Sequence, residues 1–370
     1  MNMKVKQIVE YINTFADEAW AFDRDNSGLQ IGDESMDVHK ILLAVDPTEA
    51  LVDEAIEKNC NMIITHHPLL FHPIKNITSR DYRAATIKKL LKNDIALYAS
   101  HTCFDVSPFG INAFIAEQYN LQNISFLGDW SENFYNLELY VPCESTDILM
   151  QHLFEAGVGN IGFYKDCAYV LNGKGQFTPL DGAAPAIGEL NIPEITDENK
   201  IEAILPRKKK NAVISAIMRY HPYETPVFHI SEFCNANVGI GIGVIGDLST
   251  ELSADAFIEF TKDIFHVDML RISDNYKNRT IKRVGFSSGA STEYIPIAKS
   301  MGADVMITSE CKSYDFEFAM NNGIILICLT HFISEHCFTE AMKRILLQNK
   351  EFRDQLQFLI SEQTDSEVFL

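Results

Sequence analysis

The sequence predicts an α/β protein whose core is discontinuous: two α/β halves with mostly parallel or mixed sheets, interrupted by an inserted ferredoxin-like βαββαβ domain. Three observations predict it. Apolar runs of strand length alternate with helical stretches at both ends of the 370-residue chain, the pattern of a sheet flanked by helices. Residues 134–233 break that alternation and read strand, helix, strand, strand, helix, strand. The two ends also carry matching polar clusters just past their apolar runs, which gives them a reason to meet.

Element by element, residues 1–15 read as an amphipathic helix with Val5, Ile8, Ile12 and Phe15 on one side. Asp25-Asn26-Ser27-Gly28 forms a turn. A buried strand over 40–45 precedes a helix over 48–58. Strand 62–65 runs into a loop through Pro73, and helix 82–92, strand 95–100 and a helix near 111–119 follow. In the middle segment, strands are expected at 137–141, 163–171, 201–205 and 227–231, with helices at 147–156 and 212–219. From Arg283 the first pattern returns. Strand 284–287 leads through the small turn Ser288-Gly289-Ala290-Ser291 to helix 295–301, then strand 305–308, helix 316–321, strand 324–329 and helix 334–347. Turn-forming flanks, Gly128-Asp129-Trp130-Ser131 and Asn235-Ala236-Asn237, mark the seams of an insertion into a surface loop. The expected domains are therefore 1–131 and 235–370 for the core and 132–234 for the insert.

Composition excludes several classes. The formal charge of −20, from 51 acidic and 31 basic residues, opposes general attraction to a nucleic acid backbone. The basic run Arg207-Lys208-Lys209-Lys210 reads as a solvated turn. No apolar run approaches the roughly 20 residues of a membrane helix, and no secretory leader pattern opens the chain. Eight cysteines at irregular spacing, without a CxxC pair, indicate reduced thiols in the cytoplasm.

The chemistry concentrates in Thr65-His66-His67-Pro68, at the end of an apolar strand, and in His331 and Glu335 far downstream. Inside a strand, adjacent histidines point to opposite faces. At a strand end the backbone bends, and each ring can serve a different ion of a close pair; the competing reading is a capping or core-satisfied histidine pair. His331 and Glu335, four apart near a helix start, project from one face. Asp105, within His101-Thr102-Cys103-Phe104-Asp105, adds a carboxylate able to bridge two cations. Such clusters past the carboxyl ends of strands are where open α/β sheets place their ligands. Five N/O donors exceed what one tetrahedral zinc takes, and two ions use all five with positions to spare. Zn, Fe, Mn and Co suit imidazole and carboxylate alike, so the metal is not specified. Around this set, His101, Cys103 and Lys312 are candidate supporting groups. Cys103 alternates with His101 and Asp105 and faces the site if the strand extends that far. Glu310 and Lys312 follow the strand ending at Thr308, as candidates for proton transfer and a phosphate contact. The Ser287–Ser291 turn offers backbone N–H groups to an anion, although it lacks nucleotide-loop spacing.

Asp25-Asn26-Ser27-Gly28-Leu29-Gln30, Ile64-Thr65-His66-His67-Pro68-Leu69-Leu70-Phe71, His101-Thr102 with Asp105, Asp304 through Thr308 with Glu310, and Thr330-His331 with Ser334-Glu335 together resemble the GTP cyclohydrolase I type 2 family, also called Ngg-one-interacting-factor-three-like proteins. The resemblance covers nearly the whole chain. It implies a dinuclear metal centre at His66, His67, Asp105, His331 and Glu335. Residues 134–233, with Tyr140-Val141-Pro142, Gly157-Val158-Gly159, Gly175-Gln176-Phe177 and His221-Pro222-Tyr223-Glu224, resemble the PII-like or CutA-like insert of the longer members; His221 itself reads as a packing and capping residue. The family resemblance further implies a ring-shaped homohexamer. The chain departs from the family pattern at Cys103, at Phe109-Gly110 and at Thr308-Ser309-Glu310, none of which removes an expected metal ligand.

Two functions follow as expectations. One is a metal-dependent hydrolase of a nucleotide or related heterocycle, with GTP as the substrate the resemblance implies and Glu310 moving a proton. The other is a non-catalytic metal-binding scaffold, trafficking or regulatory protein. Turnover separates them.

Overall fold

In the strand Lys40–Ala44 both faces are apolar: Ile41 and Leu43 enter one buried cluster, Leu42 and Ala44 another. Met62–Thr65 and Ala96–Ala99 divide the same way. Strands of this composition belong in a parallel sheet covered on both sides, and that is how they lie. The computed structural model describes residues 3–78, 81–128, 134–161, 164–232 and 240–367. Its first sheet has the order Gln357–Ile360, Lys40–Ala44, Met62–Thr65, Ala96–Ala99, Gly28–Ile31. The first four are parallel, and the last is antiparallel to its neighbour. A second sheet has the order Arg271–Ile272, Ile325–Leu329, Val305–Ser309, Thr280–Phe286, Val244–Ser253, Gln122–Phe126. Its three inner strands at Ile325, Val305 and Thr280 are parallel, and the flanking pairings are antiparallel.

One large apolar cluster joins the facing sides of the two sheets. Ile41, Ile64 and Tyr98 enter it from the first sheet, Val284, Ile307 and Ile327 from the second. The helices Val5–Asn13, Ile111–Gln118 and Phe338–Leu346 supply Ile8, Ile115 and Met342 between them. The outer faces are covered by Glu49–Glu57 and Tyr82–Lys92 on one sheet, and by Ile295–Ser300 and Ser313–Asn322 on the other. Each sheet also borrows a strand from the other end of the chain. Gln357–Ile360 pairs with Lys40–Ala44, and Gln122–Phe126 pairs with Val244–Ser253. Met1–Gly128 and Gly241–Leu370 thus form one compact unit.

Asp129–Ile240 forms the other unit. Its antiparallel sheet has the order Phe228–Glu232, Phe134–Pro142, Glu194–Pro206, Tyr169–Phe177. The helices Thr146–Glu155 and Lys210–Tyr220 bury Leu149, Leu153, Val213 and Ile217 against Leu137, Leu139 and Val141. In chain order these elements run strand, helix, strand, strand, helix, strand.

Several elements differ from the sequence expectation. The first helix begins at Val5 because Met3–Lys4 pairs with Asp37–Val38. The expected helix 334–347 is two helices, His331–Glu335 and Phe338–Leu346. The expected strands 163–171 and 201–205 are displaced and lengthened to Tyr169–Phe177 and Glu194–Pro206, whose pairing from Glu194 opposite Phe177 to Glu202 opposite Tyr169 runs far beyond the apolar stretch. The flanking turns at 129–131 and 235–237, the domain seams at 131/132 and 234/235, and Phe163 lie outside the described residues.

Candidate metal centre

The polar cluster is built on the carboxyl ends of parallel strands from both sheets. From the first, Asp46 follows Lys40–Ala44, His66 and His67 follow Met62–Thr65, and His101 follows Ala96–Ala99. From the second, Ser288 and Gly289 follow Thr280–Phe286, Glu310 follows Val305–Ser309, and His331 follows Ile325–Leu329. Two short helical turns then place an acid four residues after a histidine. In one, the N–H of Asp105 bonds the carbonyl of His101 at 3.3 Å. In the other, the Thr330 hydroxyl caps His331–Glu335 by accepting from the Ile333 N–H at 3.2 Å. Spacing by four puts each histidine and its acid on one face.

Every histidine in the cluster is held at Nδ1 by an oxygen. His66 Nδ1 lies 3.0 Å from the Ser100 carbonyl, His67 Nδ1 2.7 Å from Asp46 Oδ1, His101 Nδ1 2.8 Å from Asp25 Oδ1, and His331 Nδ1 2.7 Å from Glu310 Oε1. Each contact makes Nδ1 the donor and turns Nε2 inward as a potential ligand, the arrangement that orients metal-binding imidazoles. The inward nitrogens surround two buried carboxylates. Glu335, 2 % exposed, lies 2.9 Å from His67 Nε2, 3.0 Å from His331 Nε2 and 3.6 Å from His66 Nε2. Asp105 Oδ2 lies 3.7 Å from His66 Nε2, while Oδ1 accepts from the Ser288 hydroxyl at 2.7 Å. Two overlapping groups have donor atoms within 4.8 Å of one another: His66, His67 and His101, and His67, His331 and Glu335.

Electrostatics express the same crowding. Burial works against a charged His67, yet the nearby carboxylates of Asp46 and Glu335 raise it to about 10. His331, opposed by burial and favoured by Glu335 and Glu310, is raised to about 9. Burial of Asp105 pushes its carboxyl up despite His66, whereas Glu335, buried but facing three imidazoles, is held well below the carboxylate range. Behind His101, Asp25 resists the effect of burial through His101, Thr102 and Ser27 and is likewise held well below it. His66 Nε2 and Glu335 Oε2 nevertheless remain buried without a hydrogen bond, for the 2.9 Å approach of His67 to Glu335 Oε2 is not aligned as one. Buried, inward-facing atoms of this kind are costly unless something pairs with them. Imidazole nitrogens and carboxylate oxygens in these overlapping groups fit divalent transition-metal ions.

His66, His67, Asp105, His331 and Glu335 are brought together, and His101 joins them as a potential ligand in its own right. Glu310 sits behind His331, with its side chain 55 % exposed. Cys103 does not face the cluster, because residues 102–105 form a helical turn and not a strand extension. Its buried sulfur lies 3.6 Å from the Ser100 hydroxyl, and burial pushes the thiol up to about 12. Lys312 is exposed, with its ammonium 6.0 Å from the Tyr314 ring centroid. In the turn at Ser288 two N–H groups are already used: Ser288 N–H donates to Asn112 and Gly289 N–H to the Ser334 hydroxyl. It is a wall of the site. Gly289 has φ +63°, and a Cβ there would stand 2.6 Å from Glu335 Oε1. Sequence reasoning assigned no role to Asp25, Asp46 or Asn112. Asp46 carried a usable signal, since it follows an apolar strand as His66 does.

A model of the Duf34/NIF3 (NGG1p interacting factor 3) family matches residues 3–366. A GTP cyclohydrolase 1 type 2 homolog from Staphylococcus epidermidis is 34% identical over 358 residues, which are 97% of this chain and 96% of that one. Among solved structures, a Bacillus cereus protein related to NIF3 matches with TM-score 0.78 and 30% identity over 100% of both chains. A Staphylococcus aureus protein matches with TM-score 0.74 and 29% identity over 100% of this chain and 99% of its own.

Proposed function

This chain belongs to the Duf34/NIF3 (NGG1p interacting factor 3) family, and on that premise we propose that it holds two divalent transition-metal ions and hydrolyses a C–N bond in a nucleotide or related heterocycle. The observation that carries the proposal is the convergence of four imidazoles, each held at Nδ1, on two buried carboxylates, with His66 Nε2 and Glu335 Oε2 left unpartnered. His66, His67, Asp105, His331 and Glu335 hold the ions, with His101 beside them. When bound, such ions acidify water and polarise the bond it attacks.

The chain's own groups supply orientation and proton movement. Asp46, Asp25 and Glu310 keep three rings facing inward, and Ser288 fixes Asp105. In the hydrolysis the water oxygen joins the ring carbon, the C–N bond breaks, and the nitrogen takes a proton. Glu310, half exposed behind His331, is the candidate to take the proton that water gives up and to return one toward that nitrogen. GTP is the first substrate to try, because the Staphylococcus epidermidis relative is named a GTP cyclohydrolase 1 type 2 homolog.

The test is metal reconstitution followed by a nucleotide and heterocycle panel. Two ions per chain and metal-dependent product, both lost in His66→Ala and Glu335→Ala and with turnover alone reduced in Glu310→Gln, are expected. A loaded protein that changes nothing in the panel replaces the enzyme reading with the scaffold reading.

The proposal extends to the rest of the molecule. Asp129–Ile240 is read as a ferredoxin-like, PII-like insert, supported by its element order and antiparallel sheet. A cytoplasmic homohexamer is proposed with it. The edge strand Tyr169–Phe177 exposes Tyr169, Val170 and Leu171, a surface that soluble proteins usually cover. Light scattering that returns a monomer at micromolar concentration would contradict the hexamer.

A further inference from the structure

Above His67, His101 and His331 opens a cavity of about 400 Å³, within the size range of small-molecule sites. Two kinds of residue complete its lining. Phe71 and Phe332 are aromatic, and Phe71 is 42% exposed, with its ring 5.9 Å from that of His101. Asp46, Asp365 and Glu367 are acidic. Among the described residues no lysine or arginine lines the cavity. A larger neighbouring cavity of about 890 Å³ shares Asp46, His67 and Pro68 and is lined by further acids, including Asp53, Glu54 and Glu362. The lysines beside those acids are already paired, Lys58 with Glu54 and Glu362 and Lys89 with Glu49 and Asp53.

Besides metal ions, phosphate chains are recognised through lysine or arginine forks and through unoccupied backbone N–H groups. Among the described residues no lysine or arginine is in place to do so, and several nearby N–H groups are already used. The N–H groups of Ser288 and Gly289 are taken by Asn112 and Ser334, and the Ile333 N–H at the start of the His331–Glu335 turn is taken by Thr330. Two divalent ions would not reverse the balance. Asp105 and Glu335 inside the cluster, Asp25, Asp46 and Glu310 behind the rings, and Asp365 and Glu367 on the rim leave the loaded site with an excess of negative charge. An exposed aromatic ring beside reactive groups, in contrast, offers a face to a flat substrate.

We propose that the site takes a planar, uncharged or cationic heterocycle without a phosphate chain, such as a free nucleobase or nucleoside, recognised by Phe71 and Phe332 and screened by the acidic rim. This rests on reading the cluster as the reaction centre and narrows its substrate class. The test is calorimetric binding and turnover of guanine, guanosine and GTP by the metal-loaded full chain, with metal content assayed afterwards. Guanine or guanosine should bind about tenfold or more tighter than GTP. Phe71→Ala and Phe332→Ala should weaken that binding by about tenfold at unchanged metal content, and Glu367→Lys should narrow the preference severalfold by strengthening GTP binding. GTP binding as tightly as guanosine, or failure of all three to bind, overturns the proposal. Tight binding of guanosine without any product leaves the recognition standing and removes the hydrolase.

Discussion

At the scale of single residues, the site is a set of nitrogens aimed from behind. Asp46 and Asp25 matter because each occupies the outer nitrogen of a ring whose inner nitrogen then has no choice of direction. That arrangement sets a proton balance that a bound metal would disturb. In the metal-free protein His67 is raised to about 10 and His331 to about 9, against an ordinary 6.5, chiefly by their contacts with Asp46, Glu335 and Glu310 overcoming burial. A raised histidine adds stability that is complete below about pH 6.5 and is lost as pH rises through 9 to 10. At pH 7.5 both rings therefore carry protons that bound metal would expel. Zinc titrated into the metal-free protein at that pH should release about two protons per chain or more, since His66 and Asp105 are raised as well, read by calorimetry in buffers of different ionisation enthalpy. Release near zero would show the rings to be neutral beforehand. The histidines and Asp105 were legible in the sequence because their spacing at strand ends is local. Asp25 was quoted there without a role: its partner lies 76 residues away, and that of Asp46 lies 21 away, so only the sheet brings them together. Cys103 would have faced the site only had the strand run on; the chain turns helical there, and it is the small buried cysteine that was the alternative.

At the scale of elements, legibility followed apolar continuity. Met62–Thr65, Val305–Ser309 and Ile325–Leu329 are buried throughout, and uninterrupted runs of this length mark a strand covered on both faces. Val244–Ser253 was missed because its polar second half, from Ser249 to Glu251, is exposed and its register shifts between Asp247 and Leu252. Gln357–Ile360 was missed because four residues after a helix carry no periodicity to read. That small strand has a large position. It extends the first sheet beside Lys40–Ala44, and beyond it Gln363 accepts from the N–H groups of Val45 and Asp46 and donates to the Asp46 carbonyl. The backbone that carries the partner of His67 is thus fastened by the end of the chain. Removing residues 357–370 should lower the melting temperature by about 5 °C or more. Metal affinity should fall about ten- to a hundredfold, the usual cost of loosening a group behind a ligand. Scanning calorimetry and a metal titration read the two effects, and a truncated chain equal to the full one in both would show that this strand supports nothing in the site.

At the scale of the whole molecule, the core is a mutual exchange of strands between the two ends of the chain, and the polar cluster exists only because both sheets end at one place. His66 and His67 come from one sheet, and His331 and Glu335 from the other. Among the described residues the intervening segment contributes none to that cluster, whose members all belong to Met1–Gly128 and Gly241–Leu370. Its points of departure and return are neighbours: the Gly128 N–H bonds the Ile242 carbonyl at 3.0 Å, and the strands Gln122–Phe126 and Val244–Ser253 pair directly. A short connection can therefore close the gap, since bringing together ends that are already adjacent costs little chain entropy. Replacing Asp129–Ile240 with a short Gly/Ser linker should leave a folded core that takes up two ions per chain with affinity within about threefold of the full chain, while Asp129–Ile240 expressed alone, with its own buried cluster, should fold without metal. Circular dichroism and metal analysis on both pieces decide it: a core that unfolds or loses its ions on excision would mean that the two units need each other, and the insertion would then be a part of the site's support.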